Sequence, residues 1–229
     1  VTTARSDIWP PTVPVDVYPP QEDSQLLIDT ATESGLIPGR RVADLCTGSG
    51  VVGIAAAAAG AASVRAFELC PRAVHEAKSN AAVAGVDVHV HLGQWPRAAE
   101  YGPFDVVLSN PPYVPDFDDE RERIPAHAGP PLSYNGGWDG RAVLDPMCRE
   151  VADLLAPGGS FFLVHSEFSG VDQSLRLLRN SGLEVEVVAR QHIPFGPVLS
   201  ARAPWLERMR LLEPGRRVEE LIVIRADKR

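Results

Sequence analysis

The sequence predicts a doubly wound α/β fold, a twisted and mostly parallel sheet with helices on both faces. Three observations carry this expectation. Apolar strand-like runs alternate with helical patterns from Arg41 onward, a glycine-rich turn follows the first of these strands, and an acid, Glu68, closes the second strand 20 residues after Gly48. Such alternation calls for crossover helices between parallel strands. The chain has 229 residues, 45% of them hydrophobic, enough for one large α/β core.

Residues 1–20 are rich in proline and lack periodicity, which predicts an extended arm ahead of a single domain over residues 21–229. Leu26, Leu27 and Ala31 fit a first helix stopped by Gly35 and Pro38. Residues 42–46 read as a strand, 51–59 as an alanine-rich helix ended by Gly60, and 64–69 as the second strand. Pro71 opens a helix to about Ala84, a position where proline is well tolerated because the missing N–H has no partner there. Residues 86–92 alternate valine and leucine with Asp87, His89 and His91, the period of a half-buried edge strand. The near-continuous apolar run 104–109 suits a central strand buried on both faces. Residues 114–138, rich in proline, glycine and acids, predict a lid loop. A helix is expected over 140–155, with Pro146 as a kink or a restart. Pro157-Gly158-Gly159 then turns into a strand over 160–165. A helix over 171–179, a strand over 184–190, an insertion over 191–217 and a closing strand over 218–224 bring the strands to seven.

Composition narrows the class of function. Thirty acids against 22 Lys and Arg give a net charge of −8, which disfavours binding long nucleic acid by general phosphate attraction. No run approaches the roughly 20 apolar residues of a membrane span, and the amino-terminal residues do not read as a secretion signal. Three cysteines, Cys46, Cys70 and Cys148, stand far apart with no C-x-x-C pair, which predicts neither a disulfide framework nor a zinc site and fits a reducing cytoplasm. His89 and His91 share a strand face, but no third ligand accompanies them, so no metal is expected and a polar outer face is the simpler reading.

Two motifs carry chemistry. The first runs Asp44-Leu45-Cys46-Thr47-Gly48-Ser49-Gly50-Val51-Val52-Gly53 between the first strand and its helix and contains G-x-G-x-x-G. Its glycines permit a tight turn at the carboxyl end of the strands, where such sheets bind ligands, and Glu68 at the next strand end can accept from both ribose hydroxyls of an adenosine. A dinucleotide and S-adenosylmethionine both contain that adenosine. Asp44 is unfavourable beside a pyrophosphate and favourable beside a methionine ammonium, and the Thr47 and Ser49 hydroxyls can bind polar groups, so the sulfonium cofactor is the better fit. Gln94 and Trp95, just past the third strand, are candidates for adenine, one by hydrogen bond and one by stacking. The alternative is a turn anchored by a buried tryptophan.

The second motif is Asn110-Pro111-Pro112-Tyr113, directly after the fourth strand. Proline removes backbone donors, so Pro111 and Pro112 present only carbonyls beside the Asn110 carboxamide. This acceptor-rich turn suits a planar NH2 group, either a carboxamide or the exocyclic amine of a base.

With these residues in view the chain resembles class I methyltransferases of the HemK-like kind, which methylate a glutamine side-chain nitrogen in translation release factors. Tyr18-Pro19-Pro20-Gln21-Glu22-Asp23 is similar to that family's motif closing over cofactor and substrate. Residues 44–50 resemble its cofactor loop, Asn110 to Tyr113 its amino-group clamp, and Gly136-Gly137-Trp138-Asp139-Gly140-Arg141 its segment before the next helix. The resemblance implies a Rossmann-like seven-stranded sheet, mostly parallel with an antiparallel strand near the C-terminus. It implies S-adenosyl-L-methionine as cofactor, bound by Gln21, Asp23, Asp44, Thr47, Gly48, Ser49, Gly50, Glu68, Leu69, Gln94, Trp95 and Asn110. Asn110, Pro111, Pro112 and Tyr113 are the implied catalytic residues. Bacterial members carry an amino-terminal helical domain that has no counterpart here. The compact layout looks more like the archaeal and eukaryotic branch, some members of which act with a small activator subunit, for which the edge strand 86–92 is the expected site. A release-factor loop carrying the glutamine is the expected protein partner.

Overall fold

The computed structural model describes residues 19–116 and 124–229. Residues 1–18 of the predicted arm, Tyr18 among them, and the lid acids Asp118, Asp119, Glu120 and Glu122 lie outside the described residues. The chain forms α1 (Glu22–Glu33), β1 (Arg41–Leu45), α2 (Val51–Ala58), β2 (Ser63–Glu68), α3 (Pro71–Ala84), β3 (His89–Leu92) and β4 (Phe104–Ser109). It continues through α4 (Leu144–Glu150), β5 (Leu155–Ser166), α5 (Val171–Asn180), β6 (Glu184–Pro194), α6 (Pro197–Arg208) and β7 (Val218–Asp227).

The seven strands make one sheet in the order β3-β2-β1-β4-β5-β7-β6. Among them β7 alone runs antiparallel, against both β5 and β6. The order reverses between β1 and β4, whose carboxyl ends meet at the Leu45–Ser109 pair, and the crevice above such a reversal is where ligands bind in open α/β sheets. Strand alternation sorts the core into two layers. Ala43, Leu45, Phe67 and Val107 face α4 and α5 with Leu144, Met147 and Leu178, whereas Val42, Val64, Ala66, Val106 and Leu108 face the helices carrying Leu27, Ile54 and Ala77. No helix among the described residues is long and apolar enough to cross a membrane.

Four boundaries differ from expectation. The helix expected from Gly140 starts at Leu144, because Gly140 adopts φ 76, outside the helical region. Pro146 therefore falls in the first helical turn, where its lost N–H costs nothing. The strand expected from Val86 starts at His89, because α3 ends in a left-handed Gly85 and the Val86 N–H is spent on the Ala81 carbonyl. Strand β5 begins at Leu155 and carries Pro157-Gly158-Gly159 as an irregularity, the register skipping between the Phe104–Leu155 and Val106–Ser160 pairs. The expected insertion 191–217 is partly sheet, since Gln191 to Pro194 extend β6 against Leu221 to Val218. Its remainder folds as α6, whose Leu199, Ala203 and Leu206 make a small core of their own with Leu212.

The histidine pair also departs from a simple polar face. His89 is exposed beside Asp87, but the His91 ring stacks on Phe67 at 5.1 Å and meets Tyr101 at 4.3 Å. It closes the edge of the sheet as a packing residue.

Candidate active site

Burial of one carboxylate shapes the first loop. Asp44, 1% exposed, accepts the Gly53 N–H at 2.8 Å and the Thr47 hydroxyl, and desolvation pushes its pKa up to about 7 against the pull of those two hydrogen bonds. Asp44, expected as the acid facing a methionine ammonium, here ties the loop to α2 from below and is not among the residues lining the cavity. Cys46 turns the chain at φ 61, and burial raises its thiol pKa, so it stays protonated and unreactive. Gly50 sits at φ 88, and a Cβ there would stand 3.0 Å from the Ala77 Cβ. Glycine at this position lets α3 close on the loop, and Gly50 supports the cavity from behind without lining it. Asn80 of α3 donates to the Ser49 carbonyl at 2.9 Å, a support with no sequence signal of its own.

Glu68 completes the turn. Its Oε2 accepts the Gly48 N–H at 2.9 Å and its Oε1 accepts the Cys70 N–H at 2.8 Å. Each oxygen keeps a lone pair for a further donor. Above this loop lies a cavity of about 430 Å³, lined by Thr47, Gly48, Ser49, Glu68, Leu69, Gln94, Trp95, Asn110 and Pro112 among the sequence-predicted residues. Pro130, Leu132 and Ser133, within the expected loop 114–138, and Ala142, Val143 and Pro146 around the start of α4 supply further wall, and none of these residues carried a sequence signal of its own.

The Asn110 turn is held from three sides. Ser109 Oγ donates to the Leu45 carbonyl at 2.8 Å, locking the ends of β4 and β1 together. Asn110 Nδ2 donates to Ser24 Oγ at 3.1 Å and stands close enough to the Asp23 carboxylate to favour its charged form, so the amide nitrogen faces α1 and Oδ1 is the group left for the cavity. The Tyr113 hydroxyl donates to Asp23 Oδ2 at 3.1 Å. Asp23, Gln21 and Tyr113, expected at the cofactor and beside the acceptor amide, line a second, smaller cavity under the turn. Pro111 is buried and lines neither cavity.

The glycine-rich segment after the lid buttresses the same turn. The Tyr113 carbonyl accepts from Ser169 Oγ at 2.7 Å, and a Cβ on Gly140 would lie 2.3 Å from that carbonyl oxygen, so no other residue fits there. Arg141, 4% exposed, bonds the Ser169 carbonyl at 2.6 Å, Ser174 Oγ at 2.8 Å and Asp145 at 2.8 Å. Ser174 in turn bonds His165 Nε2 at 2.9 Å, and burial holds that imidazole neutral with a pKa of about 4.

Residues 21–138 match the family described as methyltransferase small domain. The chain belongs to this family. A Methanocaldococcus jannaschii protein bearing the name of a protein N5-glutamine methyltransferase is 31% identical over 188 residues, 82% of this chain and 91% of that protein. The release factor glutamine methyltransferase of Deinococcus radiodurans is 35% identical over 146 residues, and there the chain spans only 52% of the relative's length. In fold, the chain resembles the E. cuniculi Mtq2-Trm112 complex that methylates the eRF1 termination factor, with a TM-score of 0.63 and 23% identity, covering 93% of this chain and 99% of that one. The protein is a methyltransferase that uses S-adenosylmethionine.

The cavity suits that cofactor. Its volume falls in the usual range of small-molecule sites, and Glu68 offers free lone pairs where two hydroxyls need acceptors. Gly48 has nothing within 4 Å of where a Cβ would stand, so the loop is open on the cavity side. Gln94 and Trp95 are among the residues lining the same cavity. Glu68→Ala is expected to weaken cofactor binding by about 1 to 3 kcal/mol in titration calorimetry, through loss of charge-assisted hydrogen bonds. An unchanged affinity removes Glu68 from the cofactor site.

Proposed function

We propose that this methyltransferase modifies the N5 atom of a glutamine side chain in a protein loop, a translation release factor being the first candidate. The observation carrying this reading is the orientation of Asn110, whose amide nitrogen faces Ser24 and Asp23 and whose Oδ1 is left as an acceptor at the cavity. A primary carboxamide needs two acceptors for its two N–H bonds; Asn110 Oδ1 at the cavity is the first, and the Pro111 carbonyl is the proposed second, reached once the turn that buries Pro111 opens to the substrate. The names of the archaeal and bacterial relatives support the choice of glutamine.

Bound S-adenosylmethionine supplies an electrophilic methyl group on a sulfonium. The work left to the protein is to orient a weak nucleophile, because the amide lone pair is delocalised into its carbonyl. Accepting both N–H bonds raises electron density on the nitrogen and fixes its face, and such positioning removes several kcal/mol of barrier. An N-protonated amide is strongly acidic, so water takes the proton and no strong base is needed. Asp23 and Tyr113 lie beneath the turn and hold its shape.

On this reading residues 21–229 act as one catalytic domain, with 114–138 as a lid that α6 supports. The sheet edge at β3, flanked by half-exposed Leu69 and Leu92, is the proposed seat of a small activator subunit, added as a further strand. A release-factor substrate places the reaction in the cytoplasm. The test incubates purified release factor, total RNA and DNA separately with methyl-labelled cofactor and locates the label by fragmentation. Label on a glutamine side chain is the expected result, and label confined to base amines moves the enzyme to the nucleic-acid class.

A further inference from the structure

The small cavity under the Asn110 turn has a volume of about 30 Å³, room for a water molecule, and two carboxyl groups face it from different elements. Asp23 comes from α1 and Glu219 from the start of β7, where it pairs with Ile193, and they are only 4% and 5% exposed. Asp23 acts entirely as an acceptor: Oδ1 takes the Ser24 N–H at 2.6 Å, Oδ2 takes the Tyr113 hydroxyl at 3.1 Å, and Asn110 donates to the same carboxylate. Those three donors favour the ionised form against the desolvation that opposes it. Glu219 is bonded by Ser166, but its Oε2 is fully buried and has no partner among the described residues.

The charges around the cavity offer no compensation for a second carboxylate. Its described lining contains no Lys or Arg. Glu22 of α1 and Glu167 after β5 add further negative charge, and Glu167 is itself paired with Arg216. Arg202, over the ring of Tyr134, is paired with Asp116. The walls from β6 and α6 are Ile193, Gly196, Pro197, Val198 and Leu199, all apolar. Two carboxyl groups in one buried space cannot both ionise cheaply.

We propose that Asp23 and Glu219 hold one proton between them, with the proton on Glu219, and that the Asp23 carboxylate kept ionised in this way orients Asn110 for methyl transfer. Glu219 and Asp23 are positioning residues, acting through Asn110 on the acceptor amide. Desolvation and the nearby Asp23, Glu167 and Glu22 charges push Glu219 up to about 7, and desolvation also raises Asp23. The sign follows. Below neutral pH Glu219 is protonated and the pair carries one charge. As pH rises through about 7, Glu219 ionises, the pair repels itself, and the turn loses its aim. At low pH Asp23 protonates and ceases to accept from Asn110.

The inference rests on Asn110 as the amide clamp, so the test separates the two. Single-turnover rates are measured with labelled S-adenosylmethionine and a peptide carrying glutamine between glycines, for the full chain and for Asn110→Ala, Asp23→Asn and Glu219→Gln. Asp23→Asn is expected to slow transfer at least tenfold with cofactor affinity within about threefold. The wild-type rate should fall on the alkaline side of neutrality, and Glu219→Gln should abolish that fall, because glutamine reproduces the neutral acid at every pH. Loss of activity in Asn110→Ala together with wild-type rates and pH profiles in the other two variants overturns the inference and leaves the clamp standing. Undiminished Asn110→Ala turnover overturns the clamp itself. Carboxyl ¹³C NMR decides the protonation without turnover: two carboxyls should titrate near neutrality, Asp44 and Glu219, and in Glu219→Gln one of those two signals should vanish while the Asp44 signal stays. Asp23 and Glu219 both titrating in the ordinary range overturns the shared proton.

Discussion

Asn110→Ala slows methyl transfer on the order of a hundredfold or more, with the fold and most cofactor affinity kept. The size of the effect follows from where the lost oxygen acts. Asn110 lies at the end of β4, in the lining of the large cavity, and its carbonyl is the proposed acceptor for the reacting nitrogen. The cofactor loop around Thr47, Gly48 and Glu68 is built by other contacts, so affinity changes little. The substitution also removes the hydrogen bond to Ser24, a loss of about 1 kcal/mol of stability that leaves most of the protein folded. Rapid-quench single-turnover rates with calorimetric cofactor affinities check the split. Near-normal turnover removes Asn110 from the chemistry.

Arg202→Met lowers stability by about 3 to 5 kcal/mol, because it strands a buried carboxylate. The Arg202 side chain is 2% exposed and that of Asp116 4%, with Nη2 and Oδ1 at 2.8 Å. Arg202 also bonds the Pro115 carbonyl, and Asp116 is bonded by Asn135. For a chain of this length the loss corresponds to roughly 6 to 20 °C in Tm. The double variant Arg202→Met with Asp116→Leu is expected to recover most of it, since replacing both charges by apolar groups removes the desolvation cost on each side. Pro115 and Asp116 stand two and three residues after Tyr113, so the single variant should slow catalysis as well as loosen this segment. A loss under about 1 kcal/mol by thermal and denaturant unfolding shows instead that water reaches the pair.

These two residues mark opposite limits of what was legible. Asn110 announces itself, because an amide followed by two prolines has few uses other than presenting acceptors. Arg202 does not. It sits in a stretch that reads as a mixed-charge surface segment, and nothing local says that its partner stands 86 positions earlier. Arg141 is similar: the segment Gly136 to Arg141 was recognisable, but its buried contacts with Ser169 and Ser174 were not. For Asp44, spacing places the residue at the strand end without saying on which side of the loop its carboxylate lies, and the fold spends it on Thr47 and Gly53.

What the sequence determined by itself was everything governed by local rules: seven strands by their apolar period, helix ends by Gly85 and Pro71, the glycine turn with Glu68 one strand away, and the acceptor turn after β4. From these came the fold class, the cofactor and the kind of group methylated. Tertiary structure alone decided which polar side chains face a cavity and which are spent in holding it. Burial sets that division, because a carboxylate or guanidinium removed from water must find partners wherever the fold brings them, and Asp23, Glu219, Arg141 and Arg202 meet theirs across elements far apart in the chain.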